Sequence, residues 1–326
     1  MTSRRDIIIG AASMAAPILF SGAARAAEPY PSKLITIIVP QAPGGANDII
    51  ARALGQKLAA TIGSPVIVEN KAGAGGNVGT AYAAHLPKDG YSLMITAQSV
   101  QTINPFLYRK VPFDPVRDFE PVGLVGVAPY MLAVNPNFPA KNLRELIALA
   151  KAQPGKINYA SAGNGTVNHM LGEMLKVAAG IDIVHVPYRG AAPAAADVVG
   201  GQLPMTFGSF PGLMPFVKGG QLRAIGVCTE KRTLLAPDLP TLAETVPGLY
   251  ANAWYGMFAP AGTPKEIINK LHTEIVKAMN SPELKERLAV LGVEPTTSTP
   301  DQLALLMKDD LVRWAKIVKN SGAQLD

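Results

Sequence analysis

The chain has 326 residues, of which 48% are hydrophobic and 17% charged, with a formal net charge of +6. This balance excludes an intrinsically disordered chain and predicts one large packed core or two smaller ones. The basic excess forms no Lys/Arg block and no aromatic–basic pattern, which argues against nucleic-acid binding and favours encounter with small anions.

Residues 1–26 have the pattern of a cleaved export signal. An arginine pair precedes the apolar run Ile7–Phe20, which is shorter than the roughly 20 residues that a membrane span needs. Ala24–Ala26 supplies the small residues of a cleavage site. The segment Ser3–Ile7 resembles a twin-arginine signal, and an ordinary secretory signal is the alternative. Both routes predict export to the periplasm.

Short apolar runs alternate with amphipathic helical patterns along the rest of the chain. The predicted strands are Leu34–Val39, Val66–Glu69, Tyr91–Thr96, Met131–Val134, Ile157–Ala160, Ile183–Val186, Leu203–Phe207, Leu222–Val227 and Trp254–Ala259. The predicted helices are Ala46–Thr61, Gly76–His85, Leu143–Gln153, Thr166–Ala179, Ala191–Val199, Pro264–Met279, Pro282–Leu291 and Pro300–Val318. This alternation predicts an α/β fold with ligands at the carboxyl ends of strands.

Pairs of residues before the last three helices predict where each helix begins. Thr263, Ser281 and Thr299 are each followed by proline, which predicts an N-cap and then proline at the first helical position. Two other segments, Pro121–Val134 and Pro247–Pro260, lack helical periodicity and predict crossings between domains. The crossings would divide the chain into domain 1 (27–127 plus 253–326) and domain 2 (128–252), with a cleft between them.

Known catalytic and cofactor motifs are absent from the sequence. Ser161 and Ser209 both lack the first glycine of Gly-x-Ser-x-Gly, and the four histidines have no metal-ligand spacing. Neither a dinucleotide fingerprint nor a P-loop is complete. We therefore expect no enzyme activity, metal or cofactor. The single cysteine, Cys228, cannot form an internal disulfide and is expected to be a buried, small apolar residue.

A strand, a glycine-rich turn and a helix N-terminus follow one another in the segment Ile35–Arg52. This order leaves several backbone N–H groups unpaired at one place, and the helix dipole attracts anions to it. We predict ligand contact for Gly44 and Gly45, because a helix cap does not need two glycines. Asp48, in the first helical turn, is expected to be a structural cap.

The segment Ser161–His169 repeats this pattern. Gly163 and Gly165 free the backbone to bend around a carboxylate, and Thr166 can cap the helix that follows. His169 is expected to be a packed or capping residue rather than a ligand contact. Two anion-binding loops in one exported chain predict a receptor that clamps an acid.

Two further segments are candidates for the site. Asn70–Asn77, with three glycines ahead of a helix, is either a flexible surface loop or a close backbone approach to a ligand. Tyr188–Gly190 follows a strand and precedes the helix Ala191–Val199. Arg189 there is either a ligand contact or an ordinary solvent-facing arginine. Asp197, inside the helix, is expected to face a structural partner.

At these residues the chain resembles the Bug family of periplasmic solute-binding receptors, which serve tripartite tricarboxylate transporters. The resemblance covers essentially the whole mature chain in order. It is carried by YPSKLITIIVPQAPGGANDIIAR, VIVENKAGAGGNVGT, PKDGYSLM, YASAGNGTVNHMLGEML, AGIDIVHVPYRGAAPAAADVVGGQL, LRAIGV, LPTLAET, WYGMFAPAGTP, LGVEPTTSTP and RWAKIVKNSG.

The resemblance implies a type II-like periplasmic-binding-protein fold: two α/β domains, each a sheet flanked by helices, joined by two hinge crossings. Family ligands are mostly carboxylates, held through ordered waters and backbone groups from both domains without a salt bridge. The ligand-binding residues predicted from the loops and the resemblance are Gln41, Pro43, Gly44, Gly45, Ala74, Gly75, Gly76, Ser161, Gly163, Gly165, Thr166, Tyr188, Arg189, Gly190, Ala191 and Ala192. Asp48 and His169 are predicted as structural caps beside them.

Three positions depart from the family pattern. Gln41 stands where relatives usually have an aromatic residue, which predicts a more polar cleft wall. Lys71-Ala72 replaces the common Lys-Pro, which should loosen that loop. Arg189 replaces the usual lysine and makes bidentate contact with a carboxylate geometrically possible.

The leading hypothesis is an exported, monomeric, high-affinity receptor for a small carboxylate, a dicarboxylate or related organic acid. It would deliver the acid to a membrane transporter built from a small and a large multi-span subunit. A ligand-sensing co-receptor for a sensor kinase is the alternative, and an exported hydrolase is disfavoured by the absent motifs.

Overall fold

The computed structural model describes residues 30–44, 46–188, 190–251 and 253–325. The predicted export signal therefore lies outside the described residues, as do Gly45 and Arg189. Among the described residues, no helix has the length and hydrophobicity to cross a membrane.

Ten strands in the described ranges form two five-stranded sheets. The strands are β1 (Ile35–Val39), β2 (Val66–Asn70), β3 (Ser92–Ala97), β4 (Phe119–Ala128), β5 (Tyr130–Val134), β6 (Ile157–Ser161), β7 (Ile183–Pro187), β8 (Met205–Ser209), β9 (Arg223–Val227) and β10 (Ala253–Pro260). The first sheet has the order β2-β1-β3-β10-β4 and the second β7-β6-β8-β5-β9. In each sheet the first three strands in this order are parallel, and the fourth strand runs antiparallel to both the third and the fifth.

Helices connect the strands and flank both sheets. They are α1 (Ala46–Ile62), α2 (Asn77–Ala84), α3 (Asn104–Leu107), α4 (Leu143–Ala152), α5 (Val167–Ala179), α6 (Ala191–Val199), α7 (Phe210–Lys218), α8 (Lys265–Met279), α9 (Pro282–Val290) and α10 (Pro300–Ser321). A π-helical turn, Ser99–Ile103, leads into α3. These observations confirm the predicted fold class, two α/β units with a sheet in each. We call the first sheet with its flanking helices the first lobe, and the second sheet with its helices the second lobe.

The predicted strands and helices are all present, with ends shifted by at most three residues. Three parts of the fold were not predicted from the sequence: β4, the segment Ser99–Leu107 and α7. β4 lies in the segment taken for a crossing; its glycines and Pro121 mask the strand pattern, and the ladder to β10 has register shifts there. α7 carries Pro211 and Pro215, which disfavour a helix prediction.

Apolar side chains cover both faces of each sheet. β1 is an example: Ile35, Ile37 and Val39 belong to one core cluster, and Ile38 belongs to the cluster on the opposite face. All four are at most 1% exposed. A central parallel strand covered on both faces has this near-continuous apolar run.

The C-terminal helix packs against both lobes. In α10, Leu303 and Met307 belong to a core cluster of the first sheet, whereas Trp314 and Val318 belong to a cluster of the second. Leu107, at the end of α3, also packs into the second sheet's core. Because these elements serve both lobes, the predicted boundaries (27–127 plus 253–326, and 128–252) stay a prediction.

Two of the three predicted N-caps are confirmed and one is wrong. Ser281 and Thr299 accept hydrogen bonds from backbone N–H groups in the first turns of α9 and α10. Thr263 does not cap α8: its hydroxyl donates to the carbonyl oxygen of Pro260 at 2.7 Å, and extended Pro264 is the N-cap residue. Cys228 is a free thiol that is fully buried, as predicted.

Candidate functional site

A cavity of about 300 Å³ lies between the two lobes; we call it the interlobe cavity. Elements of both lobes line it, including the π-helical turn, α3 and the N-terminal ends of α5, α6 and α7. The lining residues are Gly75, Ser99, Asn104, Leu107, Tyr108, Tyr130, Ala162, Asn164, Gly165, Thr166, Val167, Asn168, Ala191, Ser209 and Leu325.

Three helix N-termini of the second lobe meet at this cavity. Thr166 is the N-cap of α5, Ala191 is the first residue of α6, and Ser209 is the N-cap of α7. The first N–H groups of a helix have no acceptor within the helix, and each N-terminus carries about half a positive charge. α6 has no side chain capping its N-terminus. The convergence therefore makes a favourable place for an anion.

The lining of the cavity, over the part of the chain that the structure describes, includes polar groups but no charged ones. Among the described residues around it there is no Lys, Arg, Asp, Glu or His. Burial raises the pKa of Tyr130 to about 12 and also raises the pKa of Tyr108, so both phenols are neutral at pH 7. Together with Asn104, Asn164 and Ser209 they offer neutral hydrogen-bonding groups. An anion here would be held by dipoles and hydrogen bonds rather than by an ion pair.

The loop between β6 and α5 is held in shape by its own hydrogen bonds. The hydroxyl of Thr166 donates to Gly163 O at 2.7 Å, and the N–H of Gly163 donates to Ser161 Oγ at 3.1 Å. The N–H of His169 in turn donates to Thr166 Oγ1 at 3.4 Å. Gly165 has a φ of +76°, and a Cβ there would lie 2.0 Å from Leu107 Cδ2. Glycine at this position thus lets the loop approach α3 across the cavity.

Two stacked histidines lie behind this loop. The rings of His169 and His185 are 3.9 Å apart between centroids and nearly parallel, at 15°. Nδ1 of His169 accepts the N–H of Gly165 at 3.0 Å, so that nitrogen carries no proton. Nε2 of His185 lies 2.6 Å from Ser161 Oγ. The pair therefore contacts both ends of the loop that lines the cavity.

Tyr159, Glu173 and Lys176 lie around the histidine pair. Tyr159 donates to Glu173 Oε1 at 2.8 Å, and Lys176 pairs with the same carboxylate. Burial lowers the pKa of His169 to about 4, with Lys176 adding to the effect. Burial and the adjacent His169 likewise lower the pKa of His185 to about 4. Both rings are neutral at pH 7.

The loop after β1 is held by contacts within the first lobe. The N–H of Gly44, predicted to contact ligand, donates to Asp48 Oδ2 at 2.9 Å. Burial acts to raise the pKa of Asp48, but hydrogen bonds from Arg52 and Gly44 outweigh it and leave the pKa below its ordinary value. Asp48 thus sits as a cap, ion-paired to Arg52 at 2.9 Å. Gln41 accepts from Asn47 Nδ2 at 2.5 Å.

The glycine-rich loop after β2 approaches the cavity through one residue. Gly75 lines it, and Asn104 Nδ2 donates to Gly75 O at 3.2 Å. Ala74 is a non-glycine residue with a φ of +45°, a costly conformation that tertiary contacts must hold. Gly76 lies beside the amide of Gln41, whose Nε2 would be 3.0 Å from an added Cβ. Residues 72–75 of this loop are exposed, whereas Gly76 and Asn77 are buried, so the loop packs only where it enters α2.

Of the predicted site residues, Gly75, Gly165, Thr166 and Ala191 line the interlobe cavity. Ala192 lines an adjoining cavity of about 270 Å³ between α6 and α7. The other described candidates line neither cavity: Gln41, Pro43, Gly44, Ala74, Gly76, Ser161, Gly163, Tyr188 and Gly190. Tyr188 instead donates to Asp197 at 2.5 Å, the structural partner expected for that carboxylate.

Sequence reading missed several lining residues. Ser99 follows β3 and Ser209 is the last residue of β8, so the rule that ligands lie at carboxyl ends of strands could have found them. Asn164 lies inside the glycine-rich loop already singled out. Tyr108 and Leu325 reach the cavity only through tertiary packing, with Leu325 paired to Leu107 by a backbone hydrogen bond.

Two α/β lobes of matching topology, with helix N-termini around a cavity between them, define a two-lobed solute-binding protein. The chain belongs to the tripartite tricarboxylate transporter receptor family, whose model matches residues 50–323. It is 35% identical to the protein BugT of Bordetella pertussis over 321 residues, covering 98% of this chain and 96% of the relative.

Solved structures share this fold over most of the chain. The periplasmic binding protein BugD is 34% identical with a TM-score of 0.75, covering 90% of this chain and 99% of that one. Rpa4515 of R. palustris, solved with adipate, is 32% identical with a TM-score of 0.79, covering 91% and 100%. MatC of Rhodopseudomonas palustris, solved with bound malate, is 31% identical with a TM-score of 0.75, covering 89% and 100%.

Proposed function

We propose that this chain is an exported receptor that binds a small organic carboxylate in the interlobe cavity. The observation that carries the proposal is the convergence of the α5, α6 and α7 N-termini on a cavity with an uncharged lining. Relatives of the same fold were solved with adipate and with malate, both carboxylates, which supports an acid as ligand.

Closure of the lobes around the acid follows from where the contacts lie. Asn104 and Ser99 come from the first lobe, whereas Thr166 and Ala191 come from the second. A ligand that contacts both sets stabilises the closed arrangement, because the open form cannot make both at once. Binding should therefore raise the melting temperature.

Delivery to a membrane transporter is the second part of the proposal. The family description ties its receptors to tripartite tricarboxylate transporters, and BugD is described as periplasmic. We propose export through the signal at 1–26 and transfer of the acid to the transporter's membrane subunits. Cells lacking this chain should lose uptake of the radiolabelled acid, and uptake should return with the full chain but not with a chain lacking residues 1–26.

A pair of variants at one residue tests the binding site. Ala191 is exposed at the first position of α6, where a carboxylate side chain suits the helix dipole, so the fold should tolerate Ala191→Glu. A negative charge a few ångströms from the bound acid should weaken binding at least about tenfold. Ala191→Gln matches it in size without the charge and should cost much less.

Isothermal titration of ligand-stripped protein with a panel of carboxylates, including malate and adipate, measures both effects. No binding by any acid in the unmodified protein would overturn the proposal. Equal losses in the Glu and Gln variants would show that the ligand is not held as an anion at the α6 N-terminus.

A further inference from the structure

The cavity between α6 and α7 continues the interlobe cavity. It has a volume of about 270 Å³ and shares Asn168, Ala191 and Ser209 with the interlobe cavity. We call it the apolar slot. Its remaining lining residues are Ala192, Ala195, Thr206, Phe207, Gly208, Gly212, Leu213 and Phe216.

Of the three polar side chains that line the slot, Ser209 lies at the junction with the interlobe cavity, and the other two are already hydrogen-bonded. Asn168 Nδ2 donates to Phe207 O at 2.6 Å, and the hydroxyl of Thr206 lies 3.0 Å from Ala160 O. What the slot offers to a ligand is therefore hydrocarbon: the methyl groups of α6 on one wall, and Leu213 and Phe216 of α7 on the other. The slot differs in this from the interlobe cavity, with its phenols, amides and hydroxyls.

The junction of the two cavities lies where the anion-binding groups are. The three shared residues are at the N-terminal ends of α5, α6 and α7. A carboxylate held there has its remaining atoms free to extend between α6 and α7. The rim is open, since Ala191, Ala192 and Gly212 are exposed.

Resting on the proposed function, we propose that the apolar slot binds the hydrocarbon tail of the carboxylate. The receptor then takes amphipathic monocarboxylates, with the head at the helix N-termini and an alkyl or aryl tail between α6 and α7. A second carboxylate at the far end would have to be desolvated against Leu213 and Phe216 without a partner, which disfavours diacids that extend into the slot.

A chain-length series tests the proposal. Titration of ligand-stripped protein with the sodium salts of butanoate, hexanoate and octanoate should show affinity rising about three- to fourfold per methylene until the slot is full. Ala195, which is 4% exposed, lines the slot. Ala195→Leu should abolish this dependence on length while leaving succinate binding within twofold.

Ala289→Leu, at an exposed position of α9 in the first lobe, is the matched control and should keep the dependence. Phe216→Asn, which removes the apolar side chain from the α7 wall of the slot, repeats the test if Ala195→Leu does not fold. Succinate binding without any gain from chain length would overturn the slot and leave the proposed function standing. A dependence that persists in both slot variants would overturn it too, and no binding by any acid would overturn both proposals.

Discussion

The buried histidine pair predicts how stability depends on pH. Folding lowers the pKa of His169 from 6.5 to about 4, so the unfolded chain binds more protons between these values. Stability therefore rises with pH in this window: the contribution is complete above pH 6.5 and is lost as pH falls toward 4. His169→Asn removes the titrating ring and keeps an oxygen near the position of Nδ1 to accept the N–H of Gly165.

The magnitude follows from the two pKa values. A histidine with these values accounts for a loss of about 2 kcal/mol in the free energy of unfolding between pH 7 and pH 5. His185 contributes less, because its ring is only partly buried and solvent screens it. Because His169 is one of the groups that lower the pKa of His185, the comparison with His169→Asn reports His169 together with a smaller change at His185.

Urea unfolding at pH 7, 6 and 5 provides the measurement. The unmodified protein should lose about 2 kcal/mol more than His169→Asn over this range. His85→Asn is the matched control, because His85 is exposed at the end of α2, and it should follow the unmodified protein.

Equal losses in the unmodified protein and in His169→Asn would refute the reasoning. So would an NMR titration that finds the pKa of His169 near 6.5. Either result would mean that burial does not hold the ring neutral and that Nδ1 does not accept the N–H of Gly165 as described.

Three further predictions concern Gly165, Asp310 and Cys228. Gly165→Ala should destabilise the protein by more than the roughly 1–2 kcal/mol that a left-handed alanine costs, because the added Cβ meets Leu107. A double-mutant cycle with Leu107→Ala, measured by urea unfolding, should show coupling between the two positions. Additive effects would contradict the contact. Asp310 accepts Trp254 Nε1–H and Gln98 Nε2–H at 2.7 Å each, so Asp310→Ala should cost about 2–5 kcal/mol in urea unfolding, and a loss below 1 kcal/mol would contradict this. Burial raises the pKa of the Cys228 thiol, which should react with a thiol reagent only after unfolding, and prompt labelling of the native protein would contradict its burial.

Local pattern was sufficient for much of the fold. β1 and α1 could be predicted because a β-branched run, a glycine turn and an amphipathic helix are all set by residues close together in sequence. The loop Ser161–Thr166 could be predicted for the same reason, since its glycines and its capping threonine lie within six residues. β4 and α7 were not, because glycines and prolines inside them weaken the local signal while sheet and core packing hold them in place.

By itself the sequence determined the α/β class, the family resemblance and the glycine-rich loop that carries Gly165 and Thr166. The tertiary structure decided which residues meet. It turned Gly44 toward Asp48, brought Leu107 of the first lobe against Gly165 of the second, and stacked His185 on His169. Such pairings depend on how helices and sheets pack in space, and no spacing along the chain encodes them directly.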